Sequence, residues 1–179
     1  VLQGVRASLC GPAGDDPRPD NILDDPAILN RDFALLKAMN ANTIRLWKGD
    51  NTQAGTRYPI KLTQAALDLA EQYGLKVIPG FWMTNEGFWQ CTSQGPYFTR
   101  VVDFANVNVR NDVLTRFGNY VLAFKDHPAV LFWAIGNENN YSFGNDPAKI
   151  QAFYSLVDEM AELAHQIEGE DAHPVALVN

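Results

Sequence analysis

The chain alternates between two hydrophobic rhythms. Short, near-continuous apolar runs give way to longer stretches in which apolar residues return every three or four positions. The first rhythm belongs to strands buried on both faces, the second to helices with one buried face. The opening run covers Leu2 to Leu9 and leads into a Gly/Pro/Asp-rich loop from Gly11 to Asp25. Asp25-Pro26 then reads as an N-cap with proline at the first helical position. Ile28, Leu29, Phe33, Leu35, Leu36 and Met39 follow at helical spacing. "NANTIRLW" supplies a second strand through Thr43, Ile44 and Leu46. Thr63 can cap a second helix bearing Ala66, Leu67, Ala70 and Tyr73, with Gly74 at the left-handed position that ends it. "LKVIPGFW" is a third strand, and a long loop rich in aromatics follows, punctuated by Gly87, Gly95 and Pro96. A third helix is expected from about Asn108 to Lys125, and "AVLFWAI" after the "DHP" break is a fourth strand. Asp146-Pro147 starts a fourth helix that ends near Gly169, and "HPVALV" opens a fifth strand.

Strands that alternate with helices predict an α/β protein with a parallel sheet covered by helices. Two closures fit, an open doubly wound sheet and a (β/α)₈ TIM barrel. No Gly-x-Gly-x-x-Gly follows the first strand and no P-loop occurs. Polar and aromatic residues collect after the strand ends, at Cys10, Trp47, Trp82, Asn137 and Glu138. Barrel enzymes build their sites there, although open sheets do so too. A whole barrel takes about 250 residues. The expectation is that residues 1–179 form one N-terminal half-barrel, four β/α units and the start of strand five, with no second domain.

Composition narrows the function classes. The net charge is −7, so the chain has no broad electrostatic pull on nucleic acid or anionic membranes. No apolar run approaches the roughly 20 residues of a membrane span. The opening "VLQGVRASLCG" has neither an initiator Met nor a basic-plus-apolar leader, which suggests a trimmed product and a secreted or periplasmic location. Cys10 and Cys91 lack metal-ligand spacing. Two unrelated small residues and one disulfide both remain open, because spacing does not fix connectivity. His127, His165 and His173 are scattered, so no metal and no cofactor is expected.

Candidate chemistry centres on "LFWAIGNENNY", residues 131–141. Glu138 directly follows an apolar strand, and Gly136 permits a tight exit. A glutamate there can simply cap a loop or pair with a cation. Asn137 favours chemistry, since its amide offers one acceptor and two donors beside the acid. Glu86, in "FWMTNEGFW", lies further beyond its strand and suits substrate contact more than proton transfer. Arg45 sits within an apolar strand run, and a buried arginine must be paired. The partner is either a structural carboxylate or, the preferred reading, a catalytic one held ionised. Trp47, Trp82, Phe88, Trp89, Tyr97, Tyr141 and Phe143 fall at or after strand ends. Singly each is ordinary packing, but as a set their flat faces suit stacking on sugar rings, with Trp47 and Trp82 the foremost. Asn51, Asn139 and Asn140 add amide groups.

"WAIGNEN" resembles the fourth-strand motif of clan A glycoside hydrolases, the (β/α)₈ glycosidases that include the β-galactosidase, cellulase and β-glucanosyltransferase families. "GVRASLCGP", "LLKAMNANTIRLW", "LDLAEQYGLKVIPGFW" and "FKDHPAVLFWAIGNE" resemble the preceding strands and helices, so the likeness spans nearly the whole chain. "DFANVNVRNDV" is more like the β-glucanosyltransferase and β-galactosidase relatives. The resemblance implies a retaining hydrolase or transglycosidase acting on a β-linked glycan. Glu138 matches its general acid/base, Asn137 the residue that binds the sugar 2-hydroxyl, and Arg45 the strand-two arginine near the nucleophile. Trp47, Trp82, Glu86, Trp89, Asn140 and Tyr141 are the expected substrate contacts. The family's nucleophile ends strand seven, outside these residues. The expected partners are therefore a carbohydrate and either the other half of the barrel or a second copy of the chain. The rival reading is a non-catalytic carbohydrate-binding or assembly protein built on the same half-barrel.

Overall fold

A computed structural model describes residues 22–47, 49–50, 61–83, 89–92, 95–98, 102–143 and 145–178. The opening apolar run, Cys10 and Glu86 lie outside the described residues. For Trp89, Cys91 and Tyr141 only the backbone is described.

Among the described residues four α-helices start where short polar side chains can hold their free N–H groups. Helix α1 spans Pro26–Ala38, and the Asp25 carboxylate accepts from the N–H groups of Ala27 and Ile28 at 2.9 and 3.3 Å. Helix α2 spans Gln64–Gln72, with the Thr63 hydroxyl accepting from Ala66 N–H at 3.2 Å. Gly74 follows it with φ of 66°, the left-handed conformation that glycine adopts without steric cost. Helix α3, Val107–Phe124, is capped by Asn106, and α4, Pro147–Glu168, by Asp146. Each cap satisfies donors that the first helical turn leaves open.

The strands are shorter than the apolar runs that announce them. They are β1 (Thr43–Arg45), β2 (Lys76–Ile78), β3 (Gly80–Phe81), β4 (Trp89–Thr92), β5 (Gly95–Phe98), β6 (Trp133–Ile135) and β7 (Val175–Leu177). The predicted third strand is split at Pro79, which has no N–H to give to a ladder. Its first part, β2, pairs in parallel with β1, Ile44 opposite Val77. Its second part, β3, pairs in parallel with β6, Phe81 opposite Ile135. A parallel bridge between Val77 and Val130 joins β2 to the segment leading into β6, and β7 pairs in parallel with β6. Spatial order among these parallel strands therefore equals chain order. A doubly wound sheet reverses direction at a switch point, whereas a barrel advances strand by strand. The described strands form part of a TIM barrel.

One predicted loop contains more structure than expected. β4 and β5 form an antiparallel hairpin, Trp89 opposite Phe98 and Thr92 opposite Gly95. Gly95 and Pro96 hid this strand from propensity arguments, because both residues are depleted in strands. The core lies between the parallel strands and the helices. Phe81, Phe117, Trp133, Ile135, Phe153, Leu156 and Met160 are each fully buried there. Leu67, Leu75 and Val77 extend it beneath α2. That packing holds the strands rigidly, so groups at their C-terminal ends inherit fixed positions.

Candidate active site at the strand ends

Four residues after β6 carry the candidate chemistry. Gly136 leaves the strand with φ of 68°. A Cβ at this position would also lie 2.2 Å from Oδ1 of Asn139, so conformation and space both require glycine. Glu138 adopts the left-handed conformation too, with φ of 54° and ψ of 31°. A glutamate has no glycine-like freedom there, and such outliers persist only where surrounding contacts over-determine them.

Those contacts come from three strand ends. At the end of β1, Nη2 of Arg45 donates to Oδ1 of Asn137 at 2.8 Å. Beyond β3, the carbonyl of Met83 accepts from Nδ2 of Asn139 at 3.1 Å. Beyond β7, the carbonyl of Val178 accepts from the N–H of Glu138 at 3.0 Å. Asn139 closes the turn on itself, its Oδ1 accepting from the N–H of Asn137 at 3.0 Å. The Glu138 side chain is exposed and, among the described residues, its carboxylate makes no hydrogen bond or ion pair. A heavily tethered backbone thus presents an uncommitted carboxylate on the face where barrel enzymes place their chemistry.

Arg45 departs from expectation. It is exposed rather than buried, and its described partner is the Asn137 amide rather than a carboxylate. Strand β1 ends at this residue, so the guanidinium reaches the mouth of the sheet instead of the packed interior. Trp47, two residues further on, is 62% exposed, which leaves its face free to meet a ligand. Trp82 follows β3 directly and is half-buried, and Asn140 is exposed in the single helical turn Asn139–Ser142.

Sequence reasoning overlooked a second polar network beside these residues. The Asp50 side chain is buried and accepts from the N–H of Trp82 at 3.3 Å. Its other oxygen lies 3.5 Å from Nη1 of Arg116, whose Nε pairs with Asp112 at 2.8 Å. The same guanidinium sits 5.4 Å from the ring centre of Phe81, within cation–π range. These contacts tie the segment after β1 to the end of β3. Next to them the Tyr120 hydroxyl is buried without a hydrogen-bond partner among the described residues. Burial, and then the charge of Asp50, raise its pKa well above the ordinary phenol value. Asp50 and Arg116 are ordinary charged residues in the sequence, and only the partner each meets reveals the network. Among the described residues no cluster of three or more His, Cys, Asp or Glu side chains can hold a metal ion.

Comparison with known proteins agrees with this geometry. No match was found among curated proteins. Solved structures with the same fold include a β-glucuronidase from Parabacteroides merdae, at 19% identity and a TM-score of 0.59, covering 84% of this chain and 15% of that one. A Bifidobacterium dentium β-glucuronidase complexed with coumarin-3-O-glucuronide has 19% identity and a TM-score of 0.58, covering 86% of this chain and 20% of that one. A β-galacturonidase from Eisenbergiella tayi bound to galacturonate has 18% identity and a TM-score of 0.55, covering 86% and 22%. The chain thus spans less than a quarter of each of these solved chains. The family model described as "Glycosyl hydrolases family 2, TIM barrel domain" matches residues 22–175. That match narrows the sequence-based likeness to one family, whose barrel is consistent with the clan A fold, and the chain belongs to the TIM-barrel domain of glycosyl hydrolases family 2.

Proposed function

We propose that this chain carries the acid/base part of a retaining glycoside hydrolase or transglycosidase site acting on β-linked glycans. The observation that supports it best is the presentation of Glu138: an exposed, uncommitted carboxylate in a strained conformation at a barrel strand end, beside an Asn137 amide held by Arg45. Such a carboxyl can give its proton to the glycosidic oxygen as the bond breaks, then take one from water or an acceptor sugar. Asn137 holds the sugar 2-hydroxyl, a contact that strengthens as the ring approaches the oxocarbenium-like transition state. The arginine orients that amide by donating from Nη2 to its oxygen. Exposed Trp47 offers a stacking face for a sugar ring, and Trp82 and Asn140 line the same end of the sheet.

The nucleophilic carboxylate comes from barrel strands outside residues 1–179, placed about 5–5.5 Å from Glu138 as a double displacement requires. The active unit is therefore the completed barrel. The β-glucuronidases and β-galacturonidase above put β-glucuronides and galacturonides beside neutral β-glycosides as the first substrates to try.

The test is Glu138→Gln in the full-length protein, assayed on two aryl glycosides. A poor leaving group needs the acid, so phenyl glycoside turnover should fall by about 10²–10⁴-fold. A dinitrophenyl glycoside leaves without protonation and should lose far less in the glycosylation step. Unchanged turnover of the phenyl glycoside would refute the assignment. Carbohydrate binding without any turnover by the wild-type protein would favour the non-catalytic reading.

A further inference from the structure

Among the described residues Asn139 is the one polar or charged residue buried as a whole, backbone and side chain together, with no exposed surface. It lies directly after the candidate acid. Sequence reasoning gives it no more than a place among several amides at the mouth of the site. Its contacts are those of a brace. Oδ1 accepts from the N–H of Asn137, and Nδ2 donates to the carbonyl of Met83, linking the exit of β6 to the exit of β3. Oδ1 also occupies the space that a side chain on Gly136 would need, so turn and amide are built around each other.

We infer that Asn139 is a positioning residue, whose hydrogen bonds to Asn137 and Met83 set where the Glu138 carboxyl meets the glycosidic oxygen. The inference rests on the proposed role of Glu138. The backbone of Glu138 hangs between two supports, its own N–H on Val178 and the Asn139 side chain on Met83. The left-handed conformation of Glu138 is costly for a glutamate, and removing one support lets it relax. Relaxation moves the carboxyl by a large fraction of an ångström, and misplacement of that order costs about 100-fold in rate. Binding of the sugar depends on other side chains, so kcat falls more than KM rises.

A merely structural amide would reduce activity on all substrates alike through loss of folded protein. A displaced acid instead penalises substrates according to their leaving group. Asn139→Ala in the full-length protein should therefore lose about 100-fold in kcat on a phenyl glycoside and much less on a dinitrophenyl glycoside. Asn139→Asp keeps the shape and the acceptor but turns a donor into a carboxylate oxygen facing the Met83 carbonyl. Protonating that carboxyl restores the donor, and burial raises its pKa. The activity of Asn139→Asp relative to wild type should therefore rise as pH falls from 7 towards 5.

Equal losses on both leaving groups, or a wild-type ratio independent of pH in Asn139→Asp, would overturn the inference. Glu138→Gln assayed in parallel separates the two levels. If it shows no leaving-group dependence, the acid assignment itself has failed. If it does and the Asn139 variants do not, the brace alone has failed. Thermal unfolding of each variant confirms that rates are normalised to folded protein.

Discussion

Two glutamates at opposite ends of the same strands are handled in opposite ways. Glu138 follows β6, lies exposed in a strained conformation, and its carboxylate has no partner among the described residues. Glu168 ends α4 beside the start of β6 and β7, and its side chain is only 3% exposed. Its Oε1 accepts from Nε1 of Trp133 at 3.0 Å and from Nδ1 of His173 at 2.8 Å, and its Oε2 from the N–H of His173 at 2.9 Å. A buried carboxylate with three donors is held in one place by them and has little capacity left for chemistry. An exposed one on an over-tethered backbone keeps its lone pairs free. In a barrel the C-terminal strand face builds sites and the opposite face builds stability, and the two residues follow that division.

Substitutions can break or sharpen this contrast. The largest effect is expected for Glu138→Gln, a loss of 10² to 10⁴-fold, about 3–5 kcal/mol of barrier, in phenyl glycoside turnover, with the melting temperature nearly unchanged. Glu168→Gln should invert the pattern. The new amide replaces a carboxylate that serves three donors, so unfolding free energy in urea should drop by about 3 kcal/mol while kcat per folded molecule holds. If Glu168→Gln abolished turnover of fully folded protein, the division of labour would be wrong.

Arg45→Ala removes one charge-assisted hydrogen bond from Asn137, so kcat/KM should fall roughly tenfold, with little change in stability. Steady-state kinetics on the phenyl glycoside checks it.

The smallest effect is expected for Tyr120→Phe. It removes a buried hydroxyl that has no described partner and should stabilise the fold by about 1 kcal/mol near neutral pH. The folded-state pKa of Tyr120 is raised, so the unfolded chain loses this proton first as pH passes about 10. Stability linked to that proton is present below pH 10 and is lost above it. The alkaline decline in urea stability should therefore be shallower in Tyr120→Phe than in wild type.

Much of the scaffold was legible in the chain because local chemistry dictates it. Asp25, Thr63 and Asp146 start helices where their side-chain oxygens can reach free N–H groups, and Gly74 takes the left-handed turn. These events need only neighbours within four residues. Strand lengths were overestimated, because an apolar run shows that a segment is buried but not which part of it finds a ladder partner. The break at Pro79 illustrates this: "LKVIPGFW" is apolar apart from Lys76, yet β2 pairs toward β1 and β3 toward β6. The hairpin of β4 and β5 was missed because cross-strand pairing overrode the weak propensity of Gly95 and Pro96.

At the site, the sequence by itself determined the cast. A parallel α/β chain, a glutamate after an apolar strand, an asparagine beside it and a glycine before it all follow from order and residue type. Tertiary structure alone decided the roles. Arg45 reads as a buried ion-pair partner and stands instead at the mouth, bonded to an amide. Asn139 reads as one amide among several and proves to be the buried link between the ends of β6 and β3. Asp50 and Arg116 carry no motif and still join the segment after β1 to β3. The physical reason is the same in each case. Hydrogen bonds between residues 32 to 92 positions apart depend on strand register, and register is fixed only when the whole sheet packs against its helices.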